Sequence, residues 1–163
     1  MISQMRTLLR VKQLKESQAL REMQARRQKA EAARLETLQA EAAVRESERS
    51  YEAREDAIYA EILGEVIDQG DVDRTQARVV RLEKQHEALK NALERARHMQ
   101  RRLQEEAEVA AAIYRSALKA LDKFRIVTDD LVQSAEQMVE QREEGEVEEL
   151  FAQPRKKIAE EAA

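Results

Sequence analysis

Apolar residues recur at alternating steps of three and four along most of the second half of the chain. Starting from Val72, these steps reach Thr75, Val79, Leu82, His86, Leu89, Leu93, Ala96, Gln100, Leu103, Ala107, Ala110, Tyr114, Ala117, Leu121, Phe124, Thr128, Leu131, Ala135 and Met138. Sixteen of these twenty positions are apolar, which is the seam of a left-handed coiled coil sustained over many heptads. The pattern predicts a single helix on the order of 100 Å long.

The first half repeats the pattern less regularly. Ile2, Met5, Leu9, Met23, Ala30, Ala33, Val44, Tyr51 and Ile58 mark its seam, with Lys12, Glu16 and Arg26 as charged interruptions. The two halves match if the chain reverses at Gly70, so that partners have numbers summing to about 140. Ile2 then faces Met138, Met5 faces Ala135, Leu9 faces Leu131, Tyr51 faces Leu89 and Ile58 faces Leu82. Small residues meet near Ala30 and Ala110, where the helices should approach closely. Near the tip the seam is expected to slip by one residue, using Ile62 and Val66, as a stutter does.

The stretch VIDQGDVD, residues 66–73, carries the turn in this reading. Gly70 suits the left-handed position just past a helix, and Asp71 or Asp73 suits the cap of the next one. Gly64 is read as a glycine inside the first helix. The expected fold is all-α: an antiparallel two-helix coiled-coil hairpin over residues 1–145, turning near 68–72. A short flexible tail, 146–163, follows Gly145 and contains the one proline.

Composition supports extended helix over globule. Charged residues make up 38% and aromatic residues 3%, with three glycines and no tryptophan, too few large apolar side chains to fill a compact core. With no cysteine, disulfides, thiol catalysis and cysteine zinc sites are excluded. The longest uncharged run, VAAAIY at 109–114, is far short of the roughly 20 residues that a membrane-spanning helix needs. Arg6 and Arg10 interrupt any signal-peptide apolar region, so a cytoplasmic protein with no membrane insertion is expected.

Catalytic chemistry is not legible. Three scattered glycines cannot cradle a phosphate, and His86 and His98 lie about 18 Å apart along a helix on different faces. His86 falls in the seam opposite Arg54, where it reads as a polar residue setting register. The basic stretches MQARRQK (23–29) and HMQRR (98–102) lack interleaved aromatics and stand beside acidic residues, which argues against nucleic-acid binding. No enzyme activity and no cofactor are expected.

Charge and apolar surface instead point to partners at the open end. Residues 1–29 carry eight Lys or Arg against two Glu, while 129–149 carry nine acids against one Arg. Both runs oppose the dipole of their own helix, so a neighbour of opposite charge would relieve each. Leu8, Val11, Leu14, Ile126, Val127, Val132 and Val139 lie off the seam, and a two-stranded pair leaves them uncovered.

The N-terminal stretch MRTLLRVKQLKESQALREMQARRQ, the turn GEVIDQGDV and the second helix from Val72 to Met138 together resemble the central-stalk proteins of bacterial type III secretion systems. These are the YscO-like proteins of injectisomes, which serve virulence, and their flagellar counterpart FliJ. The likeness covers roughly residues 1–145. It implies a coiled coil like the shaft of a rotary ATPase, with paired ends inside a hexameric secretion ATPase and contact with the export gate at the inner membrane. Secretion chaperones are further implied partners.

On that basis Arg6, Arg10, Lys12 and Lys15, with Glu140, Glu143 and Glu144, are expected to contact and stimulate the ATPase. Tyr59, Ile62, Gly64 and Ile67 at the tip would face the gate. The hairpin seam is expected to rest on Ile2, Met5, Leu9, Val44, Tyr51, Ile58, Leu82, Leu89, Leu103, Leu121, Leu131 and Met138, in a protein monomeric on its own. The competing readings are a homo-oligomeric coiled-coil scaffold or tether, and a chaperone-binding adaptor without an ATPase.

Overall fold

A computed structural model describes residues 1–161, with side chains described as far as Ala152. Two helices account for nearly all of it: α1, Ile2–Ala60, and α2, Gln69–Glu161. They form an antiparallel hairpin, and the described residues contain no strand. Helices of 59 and 93 residues follow from a chain poor in glycine and rich in Ala, Glu, Arg, Gln and Leu, all of which lose little on entering a helix.

The turn is not where the glycine at 70 suggested. It occupies residues 61–68, and Gly64 is the residue with positive φ, at 84°. Gly70 instead sits in the first turn of α2. The reason is a stronger cap than either aspartate proposed from sequence. Asp68 Oδ1 accepts from the Asp71 backbone N–H at 2.8 Å, and Asp71 Oδ2 accepts from the Asp68 N–H at 3.1 Å. This reciprocal pair is a capping box, satisfying two of the amides that a helix start leaves unpaired. Asp73 is engaged elsewhere, accepting from Gln69 Nε2 at 3.2 Å. At the other end Ile62 N–H donates to the Tyr59 carbonyl at 3.2 Å, closing α1 with a tighter turn.

The chain divides into two compact units. The first comprises Met1–Leu20 with Ile113–Ala163, and the second is Arg21–Ala112. In the second unit Met23, Ala30, Ala33, Thr37, Val44 and Ser47 of α1 are buried, as are Thr75, Leu82, Leu93, Ala107, Ala110 and Ala111 of α2. In the first unit Leu121 and Thr128 are buried, and Ile2, Met5, Leu9, Phe124, Leu131 and Ala135 are half-buried. Among the described residues no side chain is completely enclosed, as expected when each layer is only two residues wide.

The α2 seam agrees with the heptad reading at every position but one: Met138 is 63% exposed. The register is also displaced. Ser47 meets His86, Tyr51 meets His86, and Lys12 meets Phe124, all with numbers summing to less than 140. Moving the turn from Gly70 back to 61–68 causes this shift and removes the expected stutter: Ile62 is half-buried, but Val66 is fully exposed.

Polar residues in the seam are satisfied locally. The Thr37, Thr75 and Thr128 hydroxyls donate to the carbonyls of Ala33, Asp71 and Phe124 one turn back, at 3.0, 2.9 and 2.7 Å. Arg26 binds Glu22 on its own helix at 2.7 Å and Glu106 across the pair at 2.6 Å. These two carboxylates hold the guanidinium in its charged form, Glu22 more strongly.

Beyond Gly145 the helix does not stop. The α2 backbone continues to Glu161, so the segment expected as a tail from 146 is helical through its described residues, and 162–163 lie outside them.

Candidate interaction surfaces

Function in an all-helical chain of this kind rests on what its surfaces present. Among the described residues no group of three or more His, Cys, Asp or Glu converges to hold a metal. No described helix is long and apolar enough to cross a membrane.

The first unit carries a shallow groove of about 430 Å³ between its helices, lined by Ile2, Arg6, Val132, Ala135, Glu136, Val139 and Glu140. Arg6 and Glu140, singled out from sequence for opposite charge, thus line one groove with an apolar floor. Val132 is half-buried there, whereas Val139 is exposed. Arg10, Lys15, Glu143 and Glu144 are exposed. Lys12 differs: it is half-buried, with its ammonium 5.0 Å from the centre of the Phe124 ring, a cation–π contact inside the seam. The expected weak point at Lys12 is therefore partly offset. Among the described residues, no ion pair involves Arg6, Arg10, Lys15, Glu140, Glu143 or Glu144.

Outside the groove Leu8, Val11 and Leu14 form an exposed stripe on α1, and Ile126 and Val127 are exposed on α2. The N-terminal part of α1 therefore has more apolar surface than a two-helix seam uses.

The turn in the second unit is the other candidate. Tyr59 and Ile67 are exposed, but the most exposed apolar residues there are Leu63, at 74%, and Val66, which projects fully into solvent. Neither was chosen from sequence, where Val66 was assigned to the seam. Ile62, which was chosen, is half-buried. Carboxylates surround these side chains. Glu61 is held below its ordinary pKa by Arg78, through a side-chain hydrogen bond and then charge. Asp71 is held low first by the Asp68 backbone N–H and next by Arg74. Glu65 and Asp68 are exposed beside Val66.

The second unit also contains a polar layer. Ser47 Oγ is 2.7 Å from His86 Nδ1, and Arg54 Nη2 donates to Ser47 Oγ at 3.1 Å. The Ser47 hydroxyl thus joins Arg54 on its own helix to His86 on the facing one. The Tyr51 and His86 rings pack 5.4 Å apart, tilted by 58°. Burial, then Glu55 and Glu83, push the Tyr51 hydroxyl above its usual pKa. His86 thus stands against Ser47 and Tyr51, not opposite Arg54. His98 is exposed.

Comparison with known proteins gives one match, and it spans most of the chain: residues 5–153 fit the family described as type III secretion protein YscO. The chain belongs to that family. No curated protein and no solved structure matches it. For a YscO family member the two surfaces just described gain a setting, since the family places the chain among type III secretion proteins. The match begins at Met5 and continues past Gly145, so it takes in Arg6, the turn and the helical segment after Glu140.

Proposed function

We propose that this YscO family protein is the central stalk of a type III secretion system, binding and stimulating a hexameric secretion ATPase and coupling it to the export gate. The first unit is the ATPase-binding end. The observation that carries this is the groove in which Arg6 and Glu140 flank Ile2, Val132, Ala135 and Val139, beside the exposed Arg10 and Lys15. Charges of both signs around an apolar floor suit a ring whose loops present both signs, and such charges govern encounter and register more than affinity.

In this reading the turn contacts the gate through Tyr59, Ile67 and the more exposed Leu63 and Val66, with Gly64 allowing the reversal. The protein acts at the cytoplasmic face of the inner membrane, without catalytic activity of its own, and secretion chaperones are further partners.

ATPase stimulation tests the reading. Replacing Arg6, Arg10 and Lys15 by Glu, and leaving Lys12 on Phe124, should abolish stimulation of the purified secretion ATPase while helicity and melting temperature stay as in the parent. Full stimulation by the triple variant would refute the assignment of this end.

A further inference from the structure

As far as its side chains are described, α2 is uncovered after Ala135. Every residue from Glu136 to Ala152 is exposed, and Val139 lines the same groove as Ile2. This overhang combines two features that isolated helices avoid. It presents Val139, Val147, Leu150 and Phe151 to solvent, the last at 77% exposure. Between Val139 and Ala152 it is also strongly acidic, with Glu140, Glu143, Glu144, Glu146, Glu148 and Glu149 against Arg142 alone, before the basic residues Arg155, Lys156 and Lys157. Glu140 and Glu144, and Glu144 and Glu148, are like charges one turn apart.

On a 3.6-residue wheel Val139, Val147, Leu150 and Phe151 fall within one arc of about 120°. Glu140 and Glu143 lie inside that arc and Glu146 at its edge, so the face is both apolar and acidic. A surface that covers it must be apolar and basic.

The same unit contains such a surface. Leu8, Val11 and Leu14 are exposed at successive steps of three on α1. Lys15 lies within that stripe and Arg10 beside it, both exposed. The overhang cannot reach this stripe in its own molecule, because α2 stays helical through Gly145 and leads away from α1. A second molecule approaching antiparallel can reach it: Val139 to Phe151 span about 18 Å and Leu8 to Leu14 about 9 Å.

We propose that two copies of this chain cap each other, the acidic overhang of each lying on the Leu8–Val11–Leu14 stripe of the other. The exchange is isologous, so it closes at a dimer. Each overhang becomes a third helix against the other copy's pair, which covers both apolar faces and neutralises both charge excesses at once. Since the stripe adjoins Arg6 and Arg10, the dimer and the ATPase complex would compete, if the ATPase assignment above holds. The free protein is then a self-capped form that opens when the ATPase takes the end.

Sedimentation equilibrium of the full chain, with no ATPase present, tests this independently of the ATPase reading. A monomer–dimer equilibrium that weakens with added salt is expected. Lys15→Glu and Glu146→Lys should each weaken it about tenfold, and mixing these two variants should restore association in trans. Leu150→Ser together with Phe151→Ser should leave a monomer of unchanged helicity. A chain monomeric at every concentration at low salt would overturn the proposal, as would a dimer indifferent to Lys15, Glu146 and Leu150. If that monomer floats with vesicles of anionic lipid, the stripe belongs to a membrane surface; if it associates only with the ATPase, the stripe belongs to that protein.

Discussion

Ser47 Oγ and His86 Nδ1 meet across the helix pair at 2.7 Å, in a layer where most of the seam is apolar or small. A polar pair at a seam position fits only when its partner is opposite, so this contact selects one register at some cost in stability. Replacing Ser47 with Ala leaves Arg54 and the imidazole without their shared partner. Ser47→Ala should lower stability by about 1 kcal/mol in chemical denaturation. Ser47→Leu combined with His86→Leu should recover or exceed the parent stability while allowing alternative registers. Cysteine crosslinking between α1 and α2 of the second unit would reveal these as extra pairings.

The two glycines near the turn should respond in opposite order to a sequence-based ranking. Gly64 has φ 84°, and an added Cβ meets nothing within 4 Å, so the penalty at this site is conformational alone. Gly64→Ala should cost about 1 kcal/mol. At Gly70 an added Cβ stands 3.1 Å from Asp68 Oδ1, so the capping carboxylate has to yield by a few tenths of an ångström, but the segment is already helical and its φ suits alanine. Gly70→Ala should therefore lower the melting temperature less than Gly64→Ala does.

The α2 cap makes the turn acid-sensitive. Asp71 is held below the ordinary carboxylate range by the Asp68 N–H and by Arg74, and Glu61 by Arg78. A depressed folded pKa stabilises fully above the unfolded value of about 4, and that stabilisation is lost as pH falls through the folded value. Protection of the Asp68 and Asp71 amides, measured relative to their intrinsic exchange rate at each pH, should fall on acidification below about pH 4. Asp71→Asn, which keeps an acceptor oxygen but no charge, should flatten that pH profile.

Ala30, Ala33, Ala107, Ala110 and Ala111 are buried small residues of the second unit. Ala33→Leu, which adds three carbons at a buried position, should destabilise by about 1–3 kcal/mol. The same change at exposed Ala42 should leave the denaturation midpoint almost unmoved, and comparing the two midpoints checks the packing.

At the turn, Leu63→Ser with Val66→Ser removes the two most exposed apolar side chains there without touching the seam. Thermal stability should stay within error of the parent, and binding to the purified cytoplasmic domain of the export gate should be lost. Retained binding would remove the turn from the gate contact.

Most of the architecture was legible because heptads are a local signal. From Val72 to Ala135 every seam position expected from the three–four step is buried or half-buried. What sequence reading misplaced were features settled by competition between similar residues. Gly64 and Gly70 offer the same left-handed freedom, and the choice fell to Asp68, whose carboxylate pairs with Asp71 and starts α2 before Gly70. That choice moved the turn, displaced the register, set His86 on Ser47 instead of Arg54, and turned Val66 outward. The candidate site was only half legible. Opposite charge drew attention to Arg6 and Glu140, and the shared groove follows from the fold, but nothing in composition separates Lys12, stacked on Phe124, from the exposed Lys15.

Thin layers, in which no described side chain is fully enclosed, have an evolutionary corollary. In the second unit, a block of seven residues can be lost from α1 and its facing block from α2 with every remaining knob still finding its hole. Relatives are thus free to differ by whole heptads there while keeping the same turn and the same termini. A helix pair of this build is a gauge that can be recut, and its divisions come in sevens.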